Sequence, residues 1–154
     1  MSVTPKADRA IAIQALRPIL RTLAKSPVEV LLPKSLHELS IEHLTAQPPK
    51  ITANGYRIDL DRAPGCFERE SEACAYGSIS AGTIDRTLLG QSFQVKIGSQ
   101  SVTAHYTPVA CGGSCGSTHV DFDYRGHRYR FAIKGGDVFK LRVMVSRIVS
   151  LREF

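Results

Sequence analysis

Four cysteines carry the most specific chemistry in this chain, and they form two close pairs: Cys66 with Cys74, and Cys111 with Cys115. Such thiols form disulfides, bind zinc or act as a redox pair. Zinc sites usually take cysteines about two to four residues apart, which Cys66 and Cys74 do not match. A redox pair usually lies at a helix start, whereas residues 112–114 are typical of a loop. We therefore expect local disulfides in both pairs, with cross-pairing, a zinc site and free thiols as alternatives.

A disulfide framework has a consequence for the compartment, because disulfides persist in oxidising environments. We expect an extracytoplasmic location, in a periplasm, in a lumen or as a secreted protein, on the condition that the disulfides form. Arg9, Arg17 and Arg21 interrupt the apolar residues that follow Met1, so no signal peptide is recognisable there. Under the disulfide hypothesis a leader has been removed or replaced, whereas a native Met1 would favour the cytosolic alternatives.

Two histidines and one aspartate could form a metal centre. If the predicted strands that carry His105 and His119 are neighbours, these two imidazoles can converge with Asp121, which shares a strand face with His119. Two imidazoles and a carboxylate can hold Zn²⁺ with an open coordination position, which would make the protein a metal-dependent hydrolase. The interpretation that we favour is a solvated sheet face with cross-strand ion pairs.

Other candidate groups lack complete motifs. Ser114 is not part of a G-x-S-x-G turn, and Asp59 with Asp61 fits the polar side of a strand better than a glycosidase pair. Between the first two cysteines lies an acidic cluster that we interpret as a solvated loop: Glu68, Glu70 and Glu72. We therefore assign no catalytic residue and expect no cofactor.

The composition is that of one globular domain with a basic surface. The 154 residues are 43% hydrophobic and carry a net charge of +6, so we expect a single domain over 1–154, with a helical segment 1–26 and a disulfide-bearing core 27–154. Basic charge suits nucleic acid or an anionic membrane surface. Because the chain has no Trp and no aromatic–basic motif of the RNA-binding kind, we do not favour nucleic acid, and we keep the anionic membrane surface as an alternative.

Apolar residues recur at helical spacing near the N-terminus, after a Thr-Pro start signal: Ile13, Leu16, Leu20 and Leu23. Pro18 lies inside this stripe, so we expect a kink or a fresh helix start there and an end near Ala24. The stripe precedes the sheet and adjoins basic residues. It can therefore dock on the protein's own sheet or in a groove of a partner, and we assign it to partner binding.

Alternation of apolar and polar residues predicts two hairpins, with three diagnostic pairs: Val95 with Val102, Phe122 with Tyr129, and Asp121 with Arg130. Further strands are predicted at 28–32, at a sheet edge, and at 56–60 and 75–84. A C-terminal helix over 138–150 is predicted from a second apolar stripe: Val138, Leu141, Val145 and Ile148. The predicted fold is α+β, with an antiparallel sheet of five or six strands, a C-terminal helix packed on one face and an N-terminal helix.

The order of these blocks resembles a set of uncharacterised small exported bacterial proteins. The matching stretches are a Leu-Pro-x-Ser-Leu block at 32–36, the strands at 56–60 and 129–134, the segment 74–80, and the Cys-Gly-Gly-Ser-Cys loop at 111–115 that follows Thr107-Pro108. The resemblance covers about residues 27–150. It implies export and an α+β fold, and it implies no activity.

We therefore expect a non-enzymatic exported module that binds or stabilises a protein partner through its loops and its N-terminal helix. One alternative is a cytosolic domain that binds zinc through four cysteines or binds nucleic acid. Another is the metal-dependent hydrolase that would use His105, His119 and Asp121.

Overall fold

The computed structural model describes residues 14–34, 44–61, 75–108, 117–134 and 138–153. Within these ranges ten strands form one sheet that curls into a half-cylinder. In chain order they are β1 (Leu31–Pro33), β2 (Thr45–Ala46), β3 (Lys50–Thr52), β4 (Gly55–Asp61), β5 (Ala75–Gly82), β6 (Gln91–Ile97), β7 (Gln100–Thr107), β8 (Ser117–Tyr124), β9 (His127–Lys134) and β10 (Ile148–Ser150). The α-helices are α1 (Leu20–Leu23) and α2 (Val138–Ser146), and 3₁₀ turns occupy Gln14–Ile19 and Leu151–Glu153.

The strand order across the sheet is β1-β10-β6-β7-β8-β9-β5-β4-β2, and β3 also pairs with β4. Neighbouring strands are antiparallel except for β10 and β6, which run parallel. The expected α+β fold with an antiparallel sheet of five or six strands is therefore wrong. The described part of the molecule is mostly β, with a mixed sheet and two short helices.

The strands that make the difference are too short for alternation to show in the sequence. β2, β3 and β10 contain two or three residues each; β3 pairs with the adjacent β4, whereas β10 pairs with the distant β1 and β6. The edge strand predicted over 28–32 is present as β1, at the sheet edge over Leu31–Pro33. Ile148 continues the helical spacing of Leu141 and Val145, but α2 ends at Ser146 and Ile148 pairs with Pro33 on β1. The predicted helix over 138–150 is thus replaced by a strand at its C-terminal end.

The two long hairpins have the predicted registers, with Val95 opposite Val102, Phe122 opposite Tyr129 and Asp121 opposite Arg130. In the β6–β7 turn Gly98 has φ 61°, while the next residue has a negative φ, which suits a type II′ turn. In the β8–β9 turn Arg125 and Gly126 have φ 48° and 85°, as a type I′ turn requires. The turns therefore support the registers that the alternation predicts.

A close approach of two strand backbones accompanies the curl of the sheet. Gly77 on β5 pairs with Ile133 on β9, and a Cβ at Gly77 would collide with the carbonyl oxygen of Ala132. Beside it, the register of β4 and β5 shifts between Leu60 and Asp61, as at a β-bulge. Glycines and bulges let strands bend, so this part of the sheet can turn sharply.

Residues 14–33, here called the strap, cross the concave face of the sheet. The 3₁₀ turn of the strap packs against β2 at one end of the sheet, and β1 pairs with β10 at the other end. Leu16, Leu20 and Leu23 are 0%, 1% and 0% exposed. The described part of the predicted apolar stripe therefore lies in the protein's own core, and Ile13 lies outside the described residues.

Two tyrosine hydroxyls from the sheet hold the strap in place. The Tyr56 hydroxyl accepts a hydrogen bond from the Leu31 amide (2.9 Å) and donates one to the Leu31 carbonyl (3.2 Å). The Tyr129 hydroxyl donates to the Glu29 carbonyl at 2.6 Å. Burial raises the pKa of both Tyr56 and Tyr129, so both hydroxyls keep the proton that they donate.

The strap also carries a buried carboxylate. Glu29 is 5% exposed, and its two oxygens accept hydrogen bonds from Arg125 Nη1 (3.0 Å) and Ser150 Oγ (2.5 Å). Arg152 Nη2 donates to the Pro27 carbonyl at 2.8 Å. A buried carboxylate is tolerated only with such partners, so Glu29 ties the strap to the β8–β9 turn and to β10.

The helix α2 completes the cover of the concave face. It packs against β9, β6, β8 and β1, and its Leu141, Met144 and Val145 side chains are fully buried. Leu141 and Val145 therefore face the sheet, as the helical spacing predicts. No helix within the described ranges is long and apolar enough to span a membrane.

Candidate functional site

The outer face of the sheet, opposite the strap, carries a row of polar side chains that crosses six strands. Successive cross-strand partners in this row are His105 on β7, Asp121 on β8, Arg130 on β9, Ser80 on β5, Arg57 on β4 and Lys50 on β3. Directly paired residues lie on the same face of a sheet. The topology therefore assembles one polar surface from segments that are distant in sequence.

Asp121 is the buried centre of this row. Arg130 Nε and Nη2 lie 2.6 and 3.3 Å from its two carboxylate oxygens, and His119 Nε2 lies 3.3 Å from Oδ2. Asp121 is 3% exposed, whereas half of the Arg130 side chain is exposed. Asp121 therefore anchors one edge of the Arg130 guanidinium and leaves the rest of that side chain accessible.

Two further arginines on the outer face are held by carboxylates. Arg57 Nε lies 3.1 Å from Asp59 Oδ1 on the same strand. Arg128 Nε and Nη2 donate to Asp123 at 2.7 and 3.1 Å, and these hydrogen bonds raise the pKa of Arg128. Arg128 Nη1 also lies 3.6 Å from Asp85, so it links the sheet to the connection between β5 and β6.

That connection, residues 83–90 and here called the covering loop, lies over the outer face. A cleft of about 690 Å³ separates it from β4, β5, β9 and β8, and a second cleft of about 650 Å³ lies on its β7 side. The larger cleft is lined in part by Arg57, Ser80, Arg86, Leu89, His119 and Arg130. Volumes of about 300–1,000 Å³ are typical of ligand-binding pockets, so the larger cleft has the size of a binding site.

The covering loop exposes apolar side chains beside these arginines. Leu89 is 79% exposed and Ile84 is 48% exposed. Among the described residues, one other large apolar side chain is comparably exposed, Phe139 on α2. We take the covering loop, with its two exposed apolar side chains, and the larger cleft beneath it as the candidate functional site.

The hypothesis of a metal centre can be compared with this geometry. The structure places His119 against Asp121 and His105 opposite Asp121 on β7. In the described ranges, however, no three His, Cys, Asp or Glu side chains converge closely enough to hold a metal ion. Arg130 already donates hydrogen bonds to the Asp121 carboxylate. This arrangement therefore fits an ion-paired sheet face better than a metal centre.

Most of the other predicted site residues fall outside the described ranges, so the disulfide pairing stays a prediction. They are Cys66, Cys74, Cys111, Cys115, Glu68, Glu70, Glu72 and Ser114. Asp59 is bound to Arg57, and the buried Asp61 accepts hydrogen bonds from Gln47 Nε2 at 3.5 and 3.2 Å. Each of these two carboxylates therefore has a partner of its own.

The covering loop was not predicted from the sequence. Its signal is modest: Ile84, Leu88 and Leu89 are apolar residues among Thr, Asp and Arg residues, after a strand that ends at Gly82. Such a pattern fits a buried segment as well as an exposed loop. Only the position of the loop over the outer face identifies it as part of a site.

No protein-family model, no curated protein and no solved structure matches this chain.

Proposed function

We propose that this protein is a non-enzymatic exported module that binds a protein partner through its covering loop and the larger cleft beneath it. The observation that carries the proposal is the exposure of Leu89, which lines the larger cleft together with Arg57 and Arg130. Ile84 is exposed on the same loop and lines the second cleft. Protein interfaces combine apolar anchors with arginines at their energetic centres. The covering loop provides the apolar side chains, and the larger cleft provides the arginines.

The covering loop replaces the N-terminal stripe as the contact surface in this proposal. Leu16, Leu20 and Leu23 fill the protein's own core, and exposing them to a partner would disrupt the packing of the strap. The strap instead contributes by holding the concave face closed. A partner can then bind the outer face without any rearrangement of the core.

The hydrogen bonds of the charged side chains support a role in binding rather than in catalysis. Asp121 is held by Arg130 and His119, and Arg128 is held by Asp123. General bases and nucleophiles need groups poised to exchange protons or to attack a substrate. Here the carboxylates instead fix arginines in place, which is what a binding surface needs.

Export is the part of the proposal that depends on the cysteines. Each disulfide removes two hydrogen atoms, so the intact mass of the native protein measures their number directly. We expect the mass of a chain with two disulfides, and peptide mapping without reduction should join Cys66 to Cys74 and Cys111 to Cys115. Four thiols that alkylate freely in the native protein would refute both the pairing and the export.

Site-specific photo-crosslinking in the native host tests the contact surface. Leu89→p-benzoylphenylalanine places the crosslinker on the covering loop, and Ala53→p-benzoylphenylalanine places it on the exposed β3–β4 turn as a matched control. We expect one discrete adduct at position 89 and none at position 53. Excess unlabelled protein should compete for the adduct, whereas excess Ile84→Asp protein should compete poorly.

Two results would contradict the proposal. Equal adducts at positions 89 and 53 would mean that the covering loop has no special contact. Equal competition by the wild-type and Ile84→Asp proteins would mean that the apolar side chains of the loop do not bind the partner.

A further inference from the structure

We propose that the larger cleft contains an oxyanion subsite, formed by Arg57, Ser80 and Arg130, that takes an acidic side chain of the bound partner. This inference rests on the proposed function and specifies the chemistry that the cleft recognises. The ligand group is a carboxylate or a phosphate carried by a peptide segment. The neighbouring Leu89 would contact an apolar residue of the same segment.

The position of the three residues is fixed by strand pairing. Arg130 pairs with Ser80 across β9 and β5, and Ser80 pairs with Arg57 across β5 and β4. Adjacent strands lie about 4.8 Å apart, so the two arginine Cα atoms flank Ser80 at a separation of roughly 10 Å. Two arginine side chains at this spacing can reach one anion that lies over the Ser80 hydroxyl. All three residues line the cleft.

The guanidinium groups are oriented before any ligand binds. Asp121 holds Nε and Nη2 of Arg130, and Asp59 holds Nε and Nη2 of Arg57. Within the described residues, the Nη1 atom of each arginine makes no hydrogen bond, and the two side chains are 50% and 53% exposed. An arginine that is already held loses less conformational freedom when it binds an oxyanion. Its planar donors also match carboxylate and phosphate oxygens.

The charges on the outer face explain why the subsite should act within a larger interface. Four arginines face it, Arg57, Arg86, Arg128 and Arg130, and four carboxylates balance them, Asp59, Asp85, Asp121 and Asp123. The formal charges around the two clefts therefore cancel, and Lys50 adds one positive charge at the end of the polar row. Attraction for an anion comes from oriented donors at short range, so a free ion should bind weakly and an acidic side chain of a docked peptide should bind more strongly.

Nuclear magnetic resonance titration tests the subsite directly. Sodium acetate, inorganic phosphate and sodium chloride are titrated at equal ionic strength into ¹⁵N-labelled protein. We expect saturable shifts of the Nε–Hε signals of Arg57 and Arg130 and of the Ser80 amide with acetate or phosphate, and none with chloride. The stronger of the two responses identifies the carboxylate or the phosphate as the preferred group.

Arg57→Gln is the appropriate variant, because Arg130 is needed to neutralise the buried Asp121 and its loss could unfold the protein. Arg57→Gln should weaken anion binding by roughly tenfold, as expected for the loss of a charge-assisted hydrogen bond. Lys96→Gln removes one positive charge from an exposed position on β6, outside the residues that line the cleft, and should leave binding unchanged.

The outcomes separate this inference from the proposed function. An adduct at position 89 without anion-dependent shifts would overturn the subsite and leave the partner-binding proposal standing. Shifts of equal size with chloride, or equal weakening by Arg57→Gln and Lys96→Gln, would also overturn the subsite. Anion binding that Arg57→Gln weakens, without any adduct at position 89, would support the subsite and overturn the role of the covering loop.

Discussion

The two faces of the β8–β9 hairpin are built from the same two strands but differ in polarity and charge. On the concave face Phe122 stacks with Tyr129 and Phe131 at centroid distances of 5.5 and 5.9 Å, and all three are fully buried. On the outer face the same strands carry the pairs Asp121–Arg130 and Asp123–Arg128. Alternation along each strand is enough to produce this contrast.

Within this hairpin, we expect the concave face to determine stability and the outer face to determine binding. Burial of a large apolar side chain contributes about 1.5–3 kcal/mol, whereas an ion pair with an exposed partner contributes about 0–1 kcal/mol. Substitutions of outer-face side chains other than the buried Asp121 and its partner Arg130 should therefore alter binding at little cost in stability. Substitutions on the concave face should alter stability first. The following predictions test that separation.

Removal of the strap's first part is expected to have the largest effect. Deletion of residues 1–25 removes three fully buried leucines, at about 2–5 kcal/mol each. This loss is comparable with the whole stability of a typical domain, about 5–15 kcal/mol. We expect the truncated protein to lose its cooperative thermal transition in circular dichroism.

A pair of point substitutions controls for the deletion. Leu20→Asp places a charge at a fully buried position, whereas Thr22→Asp places the same charge at an exposed position of the same helix. Only Leu20→Asp should unfold the protein. A truncated protein that remained folded would show that the strap is dispensable for the core.

The next largest effect is expected at α2. Leu141→Ala should cost about 2–5 kcal/mol, because the side chain is fully buried against the sheet. Arg142→Ala should cost no more than about 1 kcal/mol, the contribution of its exposed guanidinium over the Phe93 ring at 5.0 Å. Urea unfolding measures both values, and equal costs would mean that the buried face of α2 is misassigned.

A glycine substitution tests the close approach of β5 and β9 that accompanies the curl of the sheet. Gly77→Ala would drive a Cβ into the Ala132 carbonyl and should cost about 1–3 kcal/mol. Gly82→Ala, on the same strand, meets no atom within 4 Å and should change stability by about 0.5 kcal/mol or less. Thermal midpoints that shift equally would show that the close approach at Gly77 does not constrain β5.

The pH dependence of stability should report the buried hydroxyls of the concave face. Burial raises the pKa of Tyr56 and Tyr129, so above the ordinary tyrosine pKa of about 10 the unfolded chain releases protons that the folded protein keeps. Stability should therefore be fully present below about pH 10 and fall as the pH rises further. Urea midpoints between about pH 8 and 11 measure this loss.

Matched variants assign the alkaline loss to these hydroxyls. Tyr129→Phe lowers stability at neutral pH, because the hydrogen bond to the Glu29 carbonyl is lost, but should reduce the further loss at alkaline pH. Tyr106→Phe, at a half-buried position, keeps both buried hydroxyls and should retain the full alkaline loss. An unchanged alkaline slope in Tyr129→Phe would contradict the assignment.

The smallest effect is expected on the outer face. Asp123→Asn removes the carboxylate partner of Arg128, whose Nη1 still lies 3.6 Å from Asp85. We expect a loss of under about 1 kcal/mol that shrinks further in high salt, because exposed pairs are screened. A loss of stability as large as that of Leu141→Ala would show that this outer-face ion pair contributes as much to stability as a fully buried side chain.

The hairpins were predictable from the sequence because their information is local. Alternation over seven or eight residues per strand set the registers of β6–β7 and β8–β9. The expected kink or fresh helix start at Pro18 corresponds to a 3₁₀ turn that contains Pro18, followed by an α-helix that begins at Leu20. Strands of two or three residues carry no such pattern. The edge strand predicted over 28–32, now β1, was recognisable from a short β-branched run between two prolines. β10 forms because it meets the distant β1 and β6, and this tertiary pairing overrides the helical spacing of Ile148.

The candidate site was predictable only in part, for the same reason. The β8–β9 register places Asp121 opposite Arg130, so the ion-paired face follows from the sequence. The positions of Ser80 and Arg57 in the same row require the pairing of β5 with β9 and β4, which joins segments far apart in sequence. The covering loop has no periodicity, so nothing local indicates where it lies.

The pairing of β1 with β10 has a consequence for the order in which the chain can fold. Pro33 and Ile148 are cross-strand partners more than one hundred residues apart. At a synthesis rate of about 5–20 residues per second, roughly 6 to 23 s pass between the synthesis of β1 and the synthesis of β10. During that interval the apolar segment Leu31–Pro33 has no strand to pair with. The rest of the sheet can therefore form before this edge of it is paired.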